Sequence, residues 1–250
     1  MKKIAIFVEG QGEQIFIRNL LFHLIDPSKF SFRCLRLRAD TEHDVPYQFP
    51  NPNAEVHFQI LNVQGDESVL SAIREREELL FSNGFTKVIG LRDMYSDAYR
   101  KRSREIDDQV TQEFVDRTNE TIDQMSNAER IRLHFSIMEL EAWWLSMYNL
   151  FSKIDARLTQ RLIEEELSYD LSKIDPQKAF FHPAREVEKI FELIGSRYDK
   201  SRDDVEKITS RIDSSDISNA TENNRCDRFS KFCEELRSTA ESGKIPSPSC

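Results

Sequence analysis

A short apolar run, residues 3–8, constrains the fold more than any other feature of this chain. It is rich in β-branched residues and ends abruptly at Glu9 and Gly10. A continuous apolar run without polar alternation predicts a strand buried on both faces, as in a parallel sheet covered by helices. Residues 13–25 follow with apolar side chains at helical spacing and predict the first covering helix. This strand-helix unit indicates the α/β class.

The alternation of strand and helix continues to residue 151. Residues 39–54 are polar and contain prolines, which predicts a loop, and Asp66 is the expected N-cap of the helix after the next strand. The pattern predicts a mostly parallel sheet covered by helices. The further predicted strands are 32–37, 55–63, 87–91 and 131–135, and the further predicted helices are 66–81, 104–125 and 139–151.

Beyond residue 151 the strand signals stop and the pattern becomes helical and highly charged. We therefore expect an α/β domain over residues 1–151 and a helical C-terminal appendage over residues 152–237, packed on the sheet. Residues 238–250 combine Ser, Gly and Pro with almost no apolar content and are expected to be disordered.

Composition limits the function classes. The chain contains no apolar run of about 18 residues, and Glu9 interrupts the only N-terminal apolar stretch, so we expect a cytoplasmic protein without a membrane partner. A net charge of -9 argues against nucleic-acid binding by bulk electrostatics, so phosphate contacts would have to be local. The candidate nucleic-acid-binding residues are Arg92, Arg100, Lys101, Arg102 and Arg104.

Carboxylates follow three of the predicted strands. Glu9 follows the first strand, Asp93 follows the strand at 87–91, and Glu139 and Glu141 follow the strand at 131–135. Parallel strands open on the same edge of a sheet, where like charges repel unless a cation neutralises them. Oxygen ligands favour Mg²⁺ or Mn²⁺, whereas the scattered histidines do not form a zinc set. The candidate metal ligands are Glu9, Glu13, Asp93, Asp97, Glu139 and Glu141.

The residues after the first predicted strand allow two other interpretations. Glu9 and Glu13 alone are equally well explained by favourable contacts with helix N-termini. Gly10 and Gly12 suggest a phosphate-binding loop, but Ile15 stands where a dinucleotide fingerprint has its third glycine, and no Gly-Lys-Ser/Thr follows. The additional acidic strand ends favour the metal interpretation.

At this point the residues resemble a known pattern. Glu9-Gly10-x-x-Glu13 after an apolar strand, with Asp93 at a later strand end, resembles the Toprim domain of topoisomerases, primases and the overcoming-lysogenization-defect nucleases. Together with the first motif, an ordered set over about residues 3–236 more closely resembles a bacterial Toprim-like family, domain of unknown function 4276. The other motifs of the set are Leu91-Arg92-Asp93-Met94-Tyr95, Met138-Glu139-Leu140-Glu141-Ala142-Trp143, Tyr198-Asp199-Lys200 and Arg228-Phe229. The resemblance implies a Toprim-like fold, action on nucleic acid, and a place beside an ATPase partner in phage defence.

The sequence departs from the Toprim pattern at one position. Toprim enzymes generally carry Asp-x-Asp at the second motif, and Tyr95 stands where the second aspartate would be. Asp97 from the following loop, or Glu139 or Glu141 from the later strand end, could supply the missing ligand. Without them, metal binding would be weak and catalysis would fail.

The leading hypothesis is a metal-dependent nuclease using Mg²⁺ or Mn²⁺, with DNA favoured over RNA as the substrate. Glu9, Asp93 and Glu141 would hold one ion, while Glu13 and Asp97 would hold a second ion or orient the attacking water. The resemblance also implies that Lys200 contacts a phosphate, so the candidate catalytic residues are Glu9, Glu13, Asp93 and Lys200.

Two alternatives stay open on sequence grounds. The chain could be a catalytically weak or inactive Toprim-fold sensor that acts with an ATPase, which Tyr95 favours. It could also be a nucleotidyl or phosphoryl transferase that uses the same metals, which the sequence does not distinguish from a hydrolase.

Overall fold

A six-stranded sheet forms the centre of the computed structural model, which describes residues 1–39, 41–65, 68–222 and 225–241, apart from the side chain of Glu241. The strand order is β3-β2-β4-β1-β5-β6. All neighbouring strands are parallel except β2 and β3, which are antiparallel. The predicted α/β class with a mostly parallel sheet is therefore confirmed. The strands are β1 Lys2–Val8, β2 Phe30–Arg38, β3 Thr41–Phe49, β4 Val56–Asn62, β5 Phe85–Asp93 and β6 Ile131–Ser136.

Helices cover both faces of the sheet. Within the described residues there are twelve α-helices, and none of them has the length and apolar character needed to cross a membrane. They are α1 Gln11–Leu24, α2 Ser68–Ser82, α3 Asp97–Arg100, α4 Asp108–Asp123, α5 Glu141–Ser146, α6 Leu150–Ile154, α7 Gln160–Leu167, α8 Pro176–Ala179, α9 Pro183–Glu192, α10 Arg202–Thr209, α11 Ser214–Thr221 and α12 Asp227–Glu241.

The strand β1 lies between β4 and β5 and contributes side chains to both cores. Ile4, Ile6 and Val8 pack on the α1 face, while Ala5 and Phe7 pack on the opposite face with α2 and α4. Successive side chains of a strand point to opposite faces, so only a continuous apolar run can fill both cores. This explains why residues 3–8 lack polar alternation.

The C-terminal helices pack on the α1 face of the sheet. Phe16 of α1 lies 6.0 Å, between ring centroids, from Trp143 of α5 and 6.1 Å from Phe229 of α12. The side chain of Asn19 donates a hydrogen bond of 2.7 Å to the hydroxyl of Thr209 at the end of α10. One continuous apolar core thus joins the sheet and the C-terminal helices. The domain boundary at residue 151 stays a prediction.

The predicted loop at residues 39–54 was wrong, because β3 occupies most of it. This strand is an exposed edge strand, and the guanidinium of Arg33 on β2 donates two hydrogen bonds of 2.7 Å to Asp44 on β3. An edge strand tolerates charged residues and proline, here Pro46, because one side makes no ladder hydrogen bonds. The polar composition that indicated a loop is the composition of such an edge.

Several predicted helix boundaries also change. The helix predicted from residue 104 begins at Asp108, because the side chain of Asp107 caps it by accepting a hydrogen bond from the Val110 N–H. The single helix predicted over 139–151 is two short helices, α5 and α6. Helix α12 extends to Glu241, so residues 238–241 are helical, whereas residues 242–250 and the predicted cap Asp66 lie outside the described residues.

Candidate functional site

Two acidic residues stand at the carboxyl ends of adjacent parallel strands. Glu9 follows directly after β1, and Asp93 is the last residue of β5. Since Val8 pairs with Leu91 between these strands, both acids lie at the same edge of the sheet. The hydroxyl of Ser136, opposite Asp93 on β6, donates a hydrogen bond to the Asp93 carboxylate. The structure thus brings Glu9 and Asp93 together, as the sequence predicted.

Glu13 reaches this edge from the first turn of α1. Gly10, the residue before the helix, has an extended backbone, and a Cβ atom at this position would lie 2.9 Å from Oε2 of Glu13. Such a contact is too short for a real side chain, so an alanine at position 10 would push the carboxylate aside. Glycine at this position therefore permits the close approach of Glu13.

The third strand end contributes two more carboxylates. Glu141 is buried in the first turn of α5, where the hydroxyl of Tyr198 donates a hydrogen bond of 2.6 Å to its Oε1. Glu139 is half-buried, and its Oε2 accepts a hydrogen bond of 3.1 Å from the Ala184 N–H. Met138, which precedes Glu139, has φ 63°, in the left-handed region that is strained for a side chain of this size.

Lys200 lies between these two carboxylates. Its Nζ is 2.7 Å from Oε1 of Glu139 and 3.3 Å from Oε1 of Glu141. The Lys200 backbone also has a left-handed φ, 59°, directly before Ser201 caps α10. Non-glycine residues held in this region cost free energy and tend to occur at functional sites. The fold therefore holds strained backbone on both sides of the Glu139–Lys200 pair.

The carboxylates at this edge act on one another electrostatically. Burial, reinforced by the charges of Glu13, Glu9 and Glu141, raises the pKa of Asp93 well above its ordinary value. Burial and the charge of Glu141 also raise the pKa of Glu13. These four residues, Glu9, Glu13, Asp93 and Glu141, are called the carboxylate cluster below. The pKa shifts are those expected where negative charge is crowded and incompletely neutralised.

Lys200 and Tyr198 compensate part of this charge. Burial alone would lower the pKa of Lys200, but Glu141 and Glu139 outweigh it and raise the pKa, so the ammonium stays charged. Burial and the neighbouring Glu141 raise the pKa of Tyr198, so its phenol stays protonated and remains a donor. Burial raises the pKa of Glu141 even though Lys200 opposes the shift. One lysine is thus shared by two acids.

Arg92 lies beside the carboxylate cluster. Its Nε is 3.6 Å from Oε1 of Glu9, and its guanidinium carbon is 5.6 Å from the centroid of the Phe135 ring. Both charged side chains are largely buried, at 12% exposed for Arg92 and 7% for Glu9. Arg92 was predicted as a nucleic-acid-binding residue, and the structure places it next to the predicted metal ligands.

The remaining predicted residues lie farther out. Asp97 is exposed in the first turn of α3, where it forms an ion pair with Arg100. Arg102 pairs with Glu113 at 2.7 Å, and Lys101 and Arg104 are exposed. The structure does not bring Asp97 or this basic run into the cluster.

Tyr95, two residues after Asp93, is part of an aromatic group. Its ring centroid lies 5.6 Å from that of Phe181 and 5.3 Å from that of His182, and the guanidinium carbon of Arg100 lies 5.0 Å from the Tyr95 ring centroid. Its backbone N–H donates a hydrogen bond of 2.8 Å to the carbonyl of Met138. Tyr95 therefore joins β5 to the strained turn that precedes Glu139.

The donor chemistry of the cluster suits a hard divalent cation, since carboxylate oxygens are the ligands that Mg²⁺ and Mn²⁺ prefer. As the side chains stand, however, no three His, Cys, Asp or Glu residues in the described part of the chain form a group that could hold a metal. Cation binding would therefore require side-chain rotations within the cluster. Burial and the repulsion from neighbouring acids raise the pKa of Asp93, and a bound cation would relieve that repulsion and so favour such a rearrangement.

Sequence reasoning missed two hydrogen-bond donors, Ser136 and Tyr198, that hold the cluster acids. Ser136 ends β6 and lies directly opposite Asp93, so strand register could have indicated it. Tyr198 lies two residues before Lys200, within a motif that carried the family resemblance. No local pattern could have paired Tyr198 with Glu141, because the two residues are separated by 57 positions.

Comparison with known proteins matches the chain to one family model. No curated protein and no solved structure matches the chain. A family model described as a domain of unknown function, DUF4276, matches residues 8–237, which contain every member of the carboxylate cluster as well as Tyr198 and Lys200. The chain therefore belongs to the DUF4276 family.

Proposed function

We propose that this protein is a metal-dependent phosphodiester hydrolase that acts on nucleic acid, with a Toprim-like active edge at the carboxyl ends of β1, β5 and β6. One observation supports the proposal above all others: Glu9, Glu13, Asp93 and Glu141 crowd their charge at this edge, with the ammonium of Lys200 beside them. Such crowding costs stability, so a purely structural role gives no reason for it.

The proposed ligands follow from position in the cluster. Glu9, Asp93 and Glu141 would hold one Mg²⁺ or Mn²⁺, and Glu13 would hold a second ion or orient water. When bound, these ions would lower the pKa of water and neutralise charge on the phosphate. Asp97, which pairs with Arg100 on the exposed helix α3, is left out of the proposed ligand set.

The other residues of the site act on the ligands or on the phosphate. Ser136 and Tyr198 hold the carboxylates of Asp93 and Glu141 in place through hydrogen bonds. Glu139 positions Lys200, whose ammonium would turn toward a phosphate oxygen and stabilise the developing negative charge. Glu139, predicted as a metal ligand, thus serves in this proposal as the anchor of the lysine.

Cleavage of plasmid DNA and of single-stranded RNA in the presence of Mg²⁺ or Mn²⁺ tests the proposal. The native chain is compared with Glu9→Gln and Asp93→Asn, which keep the side-chain shape but remove the charge. Glu165→Gln serves as the control, because Glu165 is exposed and pairs with Arg161 within α7. Metal-dependent cleavage that the first two substitutions abolish and the control retains would support the hydrolase. Cleavage that survives both would overturn it.

A second candidate function is a binding module without catalytic activity. Two observations favour it: the described residues hold no preassembled metal group, and Tyr95 packs against Phe181 and His182 at the place of a second aspartate. If the native chain neither cleaves nor binds Mn²⁺ in calorimetry, this function is the better one. Pull-down of an ATPase, the partner that the family resemblance implies in phage defence, would be the next experiment.

A further inference from the structure

A cavity of about 370 Å³ opens beside the carboxylate cluster, on the other face of the sheet. It lies between α2 and α4 and ends at the carboxyl end of β5. Its walls combine two arginines with apolar and aromatic surface. Its lining includes Arg74 from α2, Arg92 from β5, and Phe114 and Thr121 from α4. We call this feature the α2–α4 groove.

The α2–α4 groove is continuous with the carboxylate cluster through one side chain. Arg92 lines the groove, and its Nε lies 3.6 Å from Oε1 of Glu9. Along β5, Gly90 faces α2, since a Cβ atom there would lie 3.1 Å from Ile73, and Arg92 follows on the same face. A phosphate in the groove at Arg92 would therefore lie next to the proposed reaction site.

Arg74 provides a second positive charge on the α2 wall. It is exposed, and among the described residues it has no ion pair or hydrogen bond. Its neighbour Arg76, in contrast, pairs with Glu75 at 3.3 Å. In a chain with a net charge of -9, an arginine without an acidic partner is available for an anionic ligand.

The α4 wall adds an aromatic surface. Phe114 is half-buried, and its ring centroid lies 5.7 Å from that of Tyr99, which fixes the ring in place. A fixed aromatic ring beside arginine side chains is the combination with which proteins bind unpaired bases and the phosphates between them. The groove is therefore better suited to a single strand than to a duplex, whose bases are not available for stacking.

We propose that the α2–α4 groove binds the single-stranded nucleic-acid segment that flanks the phosphate to be cleaved. Arg92 and Arg74 contact successive phosphates, and Phe114 stacks on a base between them. This inference rests on the proposed function for the position of the cleaved phosphate, but strand binding itself requires neither metal nor catalysis. It assigns to Arg74 and Phe114 a role in substrate binding that the sequence patterns did not indicate.

Fluorescence anisotropy with labelled oligo-deoxythymidine and oligo-uridine, in the absence of divalent metal, tests the inference. Arg74→Gln should weaken binding about fivefold and reduce the magnitude of the salt slope by about one, as loss of one phosphate contact does. Thr121→Glu, which places a negative charge in the groove, should weaken binding by at least as much. The two oligonucleotides distinguish DNA from RNA as the strand.

Matched controls keep the test specific. Arg161→Gln removes an arginine from α7, where it is 85% exposed. Asn119→Glu adds a charge to an exposed position of α4 that does not line the groove. Both controls should bind as the native chain does, and thermal melting should show all four variants folded.

The outcomes separate this inference from the hydrolase proposal. Loss of binding in Arg74→Gln and Thr121→Glu but not in the controls supports the groove, even if no metal-dependent cleavage is found. Native-like binding by both groove variants, or no binding of either oligonucleotide by the native chain, overturns the groove and leaves the cleavage test of Asp93→Asn unaffected.

Discussion

Two places in this molecule bring carboxylates together around a lysine, and they differ in how completely the charge is balanced. In the first, Lys153 lies 2.7 Å from Asp213 and 2.8 Å from Asp216, and Asp216 is fully buried. In the second, Lys200 lies between Glu139 and Glu141, and Glu9, Glu13 and Asp93 lie at the same sheet edge. Lys153 therefore has two acids beside it, whereas five acids lie around Lys200 or at the same sheet edge.

Around Lys153, backbone N–H groups also donate hydrogen bonds to the two acids. The Asp213 side chain accepts hydrogen bonds from the Ser215 and Asp216 N–H groups, and Asp216 accepts one from the Asp213 N–H, which forms a capping box at the start of α11. Hydrogen bonds from Lys153 and Ser215 lower the pKa of Asp213, so its charged form is favoured. The Lys153 place is therefore a structural joint between α6 and α11.

Burial raises the pKa of the other acid, Asp216, although hydrogen bonds from Lys153 and the Asp213 N–H oppose the shift. At the carboxylate cluster the neighbouring acids add to the effect of burial. Burial and neighbouring acids raise the pKa of both Asp93 and Glu13. The comparison teaches that a fold can offset most of the charge of two acids with one lysine and backbone donors when it only needs to join two helices. Where it leaves them incompletely neutralised, a ligand of positive charge is the expected complement.

The largest expected effect comes from Asp93→Asn. Cleavage should fall by about 10²–10³-fold or more, since a charged group in contact with the reaction would be lost. At the same time the variant should be more stable by about 1 kcal/mol, or about 2–4 °C in Tm, because a repelled carboxylate is removed. Cleavage assays and thermal melting measure the two effects. A variant that is both less stable and fully active would place Asp93 in a structural role.

The next largest effect should come from Lys153→Met, which leaves the buried Asp216 without its cation. We expect a loss of about 1–3 kcal/mol in the free energy of unfolding, because removing one partner of a buried pair leaves the other charge uncompensated. Urea denaturation measures the loss. Cleavage at a temperature where the variant is folded should be unchanged, and a strong decrease would contradict a purely structural role.

Lys200→Met should lower stability less, by about 1 kcal/mol, because Lys200 is 45% exposed and solvent screens its charge. Unlike the loss in Lys153→Met, this loss should be recovered by Mn²⁺, which would replace the missing positive charge beside Glu139 and Glu141. Melting curves with and without Mn²⁺ on both variants make the comparison direct. If Mn²⁺ changed the melting temperature of both variants equally, the Lys200 site would not differ from the Lys153 site in its need for a cation.

The pH dependence of stability should also differ between the two places. Because the pKa of Asp93 is raised above its ordinary value of 3.8, the folded chain keeps a proton that the unfolded chain loses. The contribution of Asp93 to the free energy of unfolding therefore falls as pH rises from about 3.8 through its raised pKa. Asp93→Asn should flatten this part of the curve, above about pH 4, whereas Asp213→Asn should not. Urea titrations across this range measure both curves.

The smallest effect is expected from Gly10→Ala. The added Cβ atom would displace only the flexible end of Glu13, so stability should change by no more than about 0.5 kcal/mol. Mn²⁺ affinity, measured by calorimetry, should fall severalfold because Glu13 is turned away. Gly12→Ala is the matched control: its Cβ would make an ordinary 3.9 Å contact with Val205 and should leave Mn²⁺ affinity unchanged.

Much of the fold and part of the site could be predicted from the sequence. Residues 3–8 identified the central strand, and acids directly after buried strands indicated that Glu9 and Asp93 meet. These inferences succeed because the period of apolar residues and the direction of parallel strands are local properties of the chain. The same reasoning did not predict the edge strand β3, because this strand is mostly exposed and its sequence shows no regular alternation of apolar residues.

The tertiary structure alone decided which charges are partners. Sequence reasoning left Asp97, Glu139 and Glu141 as candidates for a missing ligand, and the fold separated them. Glu141 lies in the carboxylate cluster, Glu139 holds Lys200 from 61 residues away, and Asp97 lies on the exposed helix α3. The fold also placed Arg74 and Arg92, from different elements, in one groove. Ion pairing depends on distances of a few ångströms between segments far apart in sequence, and only packing of the helices on the sheet fixes those distances.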